Sequence, residues 1–148
     1  MTEKEKLIEF FVSCFYSILD AEQKALDAIS NGKLSLKEFH VIEAVSRAKA
    51  QGKNTFSHIA SGLNIVLGTL TTSYTRLEEK GYLIKKQDQN DKRVFYIDLT
   101  PLAEEANKQH TEFHDRMVDG ITKTISKKDL ENLNYALSVL EKFFKEHL

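Results

Sequence analysis

Cysteine and proline occur once each in this chain, and neither sign of charge prevails. The lone thiol, Cys14, excludes an internal disulfide framework and suits a reducing compartment. No apolar run approaches the ~20 residues that a membrane-spanning helix needs. The opening stretch MTEKEKLIEFF alternates charge and lacks the basic head and long apolar core of a secretion signal. A cytoplasmic protein without a membrane partner is therefore expected. There is no Gly-rich phosphate loop, no motif pairing a nucleophile with a base, no internal repeat and no low-complexity segment. Catalysis is disfavoured on that ground, and no cofactor is implied.

The 148 residues suit one ordinary domain, and a hydrophobic content of 41% is enough for a packed core. The formal net charge of -1 advertises no nucleic acid by itself. Its distribution is uneven. Residues 53–100 hold seven Lys/Arg against five Asp/Glu, a balance of +2, which leaves -3 for the remainder. A mildly basic middle lies between acidic flanks.

Periodicity then sets the order of elements. Leu7, Phe11, Phe15, Ile18, Leu26 and Ile29 recur at helical steps up to an Asn31-Gly32 stop. Ser35 and Glu38 have capping-box spacing before a helix over about 35–48. Thr55 heads a short helix over about 56–62, and a fourth helix follows over about 66–80, with Gly81 as its stop. The period then changes to two over residues 82–86 and 94–99, joined by QDQNDKR, which predicts a hairpin. Thr100-Pro101 opens a long helix to about Gly120. Ser126 caps a last one, whose Leu130, Leu133, Leu137, Leu140 and Phe144 resemble a coiled-coil seam. The fold class is mainly α (α+β): a helix-turn-helix and hairpin at 35–100, between helical arms at 1–31 and 101–148. The arms carry more apolar surface than so small a core covers, so a homodimer is expected.

The fourth helix carries the functional signal. With Leu70 at the centre of its buried face, Val66, Leu67, Tyr74 and Leu77 fall within about 60° of it. The outer surface then holds Gly68, Thr69, Thr71, Thr72, Thr75 and Arg76. Glycine and short hydroxyl residues let a helix approach a groove wall; Thr offers a methyl and a hydroxyl to bases, and Arg forks onto guanine. At the hairpin tip, Lys92 and Arg93 are placed to meet phosphates or a narrow minor groove, and Asp91 could hold the guanidinium. Composition alone favours a solvated helix with a polar turn. The order and spacing of the elements favour double-stranded DNA.

These residues resemble the MarR family of bacterial transcriptional regulators, over essentially the whole chain. The resemblance rests on the run LGTLTTSYTRLEEKGYL, on Asp91-Lys92-Arg93 as the family's Asp-x-Arg, and on Leu99-Thr100 as its Leu-Thr. Ala103 stands where the family usually has glycine. The resemblance implies a homodimeric winged helix-turn-helix, mostly a repressor, reading a pseudo-palindromic operator. Within the family, LGTLTTS, with KEFH upstream and FHDRMV downstream, is similar to the fatty-acid-synthesis repressors of the FabT group. That likeness implies a response to long acyl chains on acyl carrier protein. It also makes Phe11, Phe15, Phe39 and Ile42 candidates for a ligand-pocket wall, although at helical spacing such residues are ordinarily core. Two alternatives stay open: a repressor released by a small aromatic ligand or by cysteine oxidation, and a winged-helix module that binds protein instead of DNA.

The remaining candidates favour structural roles. A sensor needs a thiolate stabilised by donors or cations, whereas Cys14 sits among apolar neighbours, so packing is expected over sensing. His110 and His114 are four apart, as metal-ligating pairs often are, but no cysteine or convincing third ligand accompanies them. No metal is expected there. His40 and His58 stand singly.

Overall fold

The computed structural model describes all 148 residues, with the order α1 (Glu3–Ser30), α2 (Leu36–Ala50), α3 (Phe56–Gly62), α4 (Leu67–Glu79), β1 (Leu83–Gln87), β2 (Phe95–Leu99), α5 (Pro101–Thr122) and α6 (Lys127–His147). The chain forms two compact units, residues 1–110 and 111–148.

In the first unit, local chemistry sets nearly every boundary. Thr2 and Ser35 each form a complete capping box, with Glu5 and Glu38 respectively, and Thr55 accepts the His58 N–H at the head of α3. Asn31 and Gly32 take left-handed φ values of 53° and 71° to end α1. Gly81 does the same after α4 at 84°. There Tyr82 N–H donates to Leu77 O and Gly81 N–H to Glu78 O, the paired bonds of a Schellman closure. Because the closure uses the Tyr82 N–H, β1 begins one residue later than alternation predicts. At the other end of the hairpin, Val94 N–H donates to Asp91 O across the turn, so β2 begins at Phe95.

The core of this unit joins α1–α4, the hairpin and the first turns of α5 through Leu26, Leu34, Phe39, Ile42, Val45, Ile59, Leu70, Leu77, Leu83, Ile97 and Ala103, all no more than 2% exposed. Burying side chains of this size contributes about 1.5–3 kcal/mol each. Only the end of α1 reaches the core, through Leu26 and Ser30. The hairpin strands are antiparallel, with Lys85 opposite Ile97. They are also tied to the start of α3: Thr55 bridges Tyr96, Ile97 N–H donates to Asn54 O, and Asn54 Nδ2 donates to Ile97 O. Thr100 Oγ1 donates to Gly81 O at 2.6 Å, so the Leu-Thr motif fastens the end of the hairpin to the end of α4. Ala103 is fully buried within an ordinary helix.

Two ion pairs brace the unit. Lys80 Nζ, just past α4, meets Glu38 of α2 at 2.8 Å, and Lys49 of α2 meets Asp98 of β2 at 2.7 Å. Burial opposes ionisation of Glu38, but hydrogen bonds from Lys80 and Ser35 outweigh it and hold the carboxyl below its usual range. Asp98 is likewise opposed by burial and lowered overall by Lys49 and the Leu99 N–H.

The second unit comprises the later turns of α5 and the whole of α6. Thr124 N–H donates to Ile121 O after α5, and Ser126 caps α6 by accepting the Asp129 N–H. No residue of α6 is buried; Leu133, Leu137 and Phe144 are 41%, 47% and 42% exposed.

Candidate nucleic-acid interface

The interface is built on α4, whose buried side is Leu70, Tyr74 and Leu77. With that side fixed in the core, Gly68, Thr69, Thr71, Thr72, Thr75 and Arg76 are all exposed. The hydroxyls of Thr71, Thr72 and Thr75 donate back to the carbonyls of Leu67, Gly68 and Thr71 at 3.0–3.1 Å. Each hydroxyl proton is thereby engaged within the helix. What faces outward is a methyl and an oxygen able to accept, which suits thymine methyls and the amino groups of adenine or cytosine.

The wing tip is held by two carboxylates. Asp88 accepts the N–H groups of Asn90 and Asp91 and the hydroxyl of Tyr96. The two backbone donors come first among the causes that keep its carboxyl below the usual range. Asp91 accepts from Arg93 three times: from Nε and Nη2 at 3.1 Å each and from the backbone N–H at 3.0 Å. This bidentate fork lowers the Asp91 pKa and raises that of Arg93. The guanidinium is oriented yet 91% exposed. Behind the tip, Lys85 lies over the Tyr74 and Phe95 rings at 5.6 and 5.3 Å.

Helix and wing meet at an open cleft of about 510 Å³ whose lining includes Thr71, Arg93, Lys85 and Phe95. Two candidates from separate elements, Thr71 and Arg93, thus share one surface. Ser57 and His58 of α3 and Leu67 of α4 line it too. Sequence reasoning did not assign Ser57 there; the signal was Thr55, whose cap fixes where α3 starts.

One expectation is corrected. Val66 and Leu67, placed by rotation on the buried side of α4, are 72% and 50% exposed. The core ends before it reaches them. Helical angle gives the side of a helix and not how far along the axis a neighbour extends.

The other candidates lie elsewhere. Phe39 and Ile42 are sealed in the core at 1% and 0% exposure, whereas Phe11 and Phe15 are 36% and 56% exposed on α1. The structure does not gather the four into one open wall. Cys14 is half-buried on α1. His110 is buried, 2.9 Å from Glu22 of α1 and packed edge-on against the Phe39 ring at 5.5 Å. It ties α5, α1 and α2 together; the Glu22 partner lies too far away in sequence for periodicity to find. His114 follows one turn later on α5. His40 and His58 line a second cleft of about 440 Å³ beside α2, where Arg47 is paired with Glu43.

Comparison with known proteins fixes the family. The family model described as "Transcriptional regulator SarA/Rot" matches residues 27–116. The chain belongs to the SarA/Rot and MarR type of winged-helix transcriptional regulators. It is a regulator and not an enzyme. The crystal structure of Streptococcus pneumoniae FabT in complex with DNA is similar to this regulator at TM-score 0.87 and 28% identity, over 97% of this chain and 99% of that one. PecS of Dickeya dadantii is 30% identical over 80% of this chain and 72% of its own, and AdcR of Streptococcus pyogenes 28% identical over 74% of each. In the regulator, α3 and α4 are the helix-turn-helix, with α4 its second helix, and β1–β2 are the wing.

Proposed function

We propose that the regulator is a homodimeric, DNA-binding repressor of fatty-acid-biosynthesis genes that acts in the cytoplasm and responds to long acyl chains presented by acyl carrier protein. The observation that carries the DNA-binding part is the cleft where Thr71 of α4 and the Asp91-held Arg93 of the wing share one exposed surface. Gly68, Thr69, Thr71, Thr72, Thr75 and Arg76 would meet the major groove, and Lys92 and Arg93 the phosphates or the minor groove. The likeness to FabT bound to DNA, over 97% of this chain, supports both this reading and the choice of regulon.

The homodimer is supported by exposed apolar side chains. Leu7, Phe15 and Ile18 on α1 and Leu133, Leu137 and Phe144 on α6 are 41–56% exposed. Contiguous apolar stripes on this scale mark an interface, and a second copy supplies a matching one. A dimer also suits a pseudo-palindromic operator whose half-sites lie about one helical turn apart.

For the effector, Phe11 and Phe15 of α1 and Phe39 and Ile42 of α2 are the proposed contacts. Phe39 and Ile42 are closed over, so an acyl chain has to open the core to reach them. Such a ligand regulates only through unequal affinity for the DNA-competent and incompetent arrangements. Each buried CH₂ contributes ~0.8 kcal/mol, so the effect should grow with chain length until the space is filled. The test is an operator titration with acyl carrier protein bearing chains from about 8 to about 18 carbons. Operator affinity that changes progressively with length supports the proposal. Affinity flat across the series, with release by a small phenol or a peroxide instead, assigns the regulator to aromatic or oxidant sensing.

A further inference from the structure

Three consecutive residues at the leading end of α4 are each a poor local choice. Val66 is the N-cap and makes no side-chain cap hydrogen bond, whereas Thr2, Ser35, Thr55 and Ser126 cap α1, α2, α3 and α6 with hydroxyls. Valine is among the weakest N-caps, because it leaves the first amide donors to water. Val66 is also 72% exposed and Leu67 is 50% exposed. Gly68 follows, within the helix, where glycine is a weak helix former. A Cβ built there meets nothing within 4 Å, and its backbone does not take the left-handed φ that favours glycine. No internal packing or backbone demand accounts for Val66-Leu67-Gly68.

An external demand does. The residues are continuous with the Thr71 and Thr72 face, and Leu67 lines the same cleft as Thr71 and Arg93. In a helix-turn-helix, the N-terminal residues of the second helix are the ones that reach base edges. The one apolar group in the major groove is the thymine C5-methyl. We infer that Val66 and Leu67 are specificity-determining residues that pack on thymine methyl groups in each half-site, with Gly68 allowing the helix the approach this needs. The inference rests on the DNA-binding reading above and deepens it: the preferred base at the positions facing α4's leading end is thymine.

The test pairs protein variants with single-methyl changes in DNA. A duplex is selected from a random pool by the unmodified regulator. Each thymine is then replaced singly by deoxyuridine, which removes only the C5-methyl. At one or more positions per half-site, affinity should fall about fourfold, the factor that one buried methyl contributes. Val66→Ser removes both methyls and supplies the missing cap, so its melting temperature should rise while its operator affinity falls. Against Val66→Ser or Leu67→Ala, the matching uracil duplex should bind as well as the thymine duplex. The inference is overturned if the parent ignores every methyl, or if both variants keep the parent's full sensitivity. A regulator that selects no duplex overturns the DNA-binding reading and this inference together; one that selects a duplex but ignores its methyls overturns this inference alone.

Discussion

Gly68→Ala should make the regulator more stable and a poorer DNA binder. Glycine in a helix costs roughly 0.5–1 kcal/mol relative to alanine. The added Cβ would meet nothing within 4 Å, so no clash offsets the gain. For a chain of this size, that corresponds to a rise in Tm of about 1–4 °C. On DNA the same methyl stands in the space between helix and groove wall. Crowding a fitted contact costs about 1–3 kcal/mol, which weakens operator binding by roughly fivefold to 150-fold. Differential scanning calorimetry and fluorescence anisotropy on one preparation read the two effects separately. A variant that binds the operator as the parent does would refute the close approach at Gly68. A lower Tm would refute the reading that the fold has no use for glycine there.

Thr72→Ala should relax discrimination among operator variants by about 1 kcal/mol and leave non-specific binding nearly intact, which competition against altered duplexes would show. Leu137→Asp places a charge in the exposed seam of α6; it should give a monomer that has lost operator binding, or unfold the chain, as sedimentation would report. A stable, DNA-competent monomer of the parent would refute the dimer. The Glu38 and Asp98 carboxyls titrate lower in the folded chain than in the unfolded one, so the unfolded chain takes up their protons first. Their contribution is complete above about pH 5 and lost as pH falls through the carboxylate range, and Lys80→Met and Lys49→Met should each flatten that decline in urea titrations.

Much of the architecture was legible because local chemistry sets it. Capping residues at Ser35, Thr55 and Ser126, the stop at Asn31-Gly32 and the change of period after Gly81 all stand where side-chain type and spacing put them. Each is decided within a few residues. The fork from Arg93 to Asp91 was legible for the same reason, being a contact two residues apart. What escaped was long-range. Glu22 and His110 meet across 88 residues, and Lys80 reaches Glu38 across 42. The Thr55–Tyr96 bridge that ties the wing to α3 is a single pair without alternation to announce it. Val66 and Leu67 were misplaced because a helical wheel carries no axial limit. That limit belongs to the neighbouring elements, and the surface it leaves uncovered is where the regulator is proposed to read sequence.

The central claim is that α4 and the wing together grip DNA, and the salt dependence of operator binding tests it most directly. Dissociation constants for the parent and Arg93→Ala, measured from low to high salt, give the slope of log affinity against log salt. For the parent the slope should be steep, since each neutralised phosphate contributes about -0.9. In Arg93→Ala the slope should be shallower by about one, with weaker binding to specific and non-specific duplexes alike. Equal affinity and equal slope for the two proteins would contradict the wing contact, and a parent that binds no duplex at low salt would contradict the account as a whole.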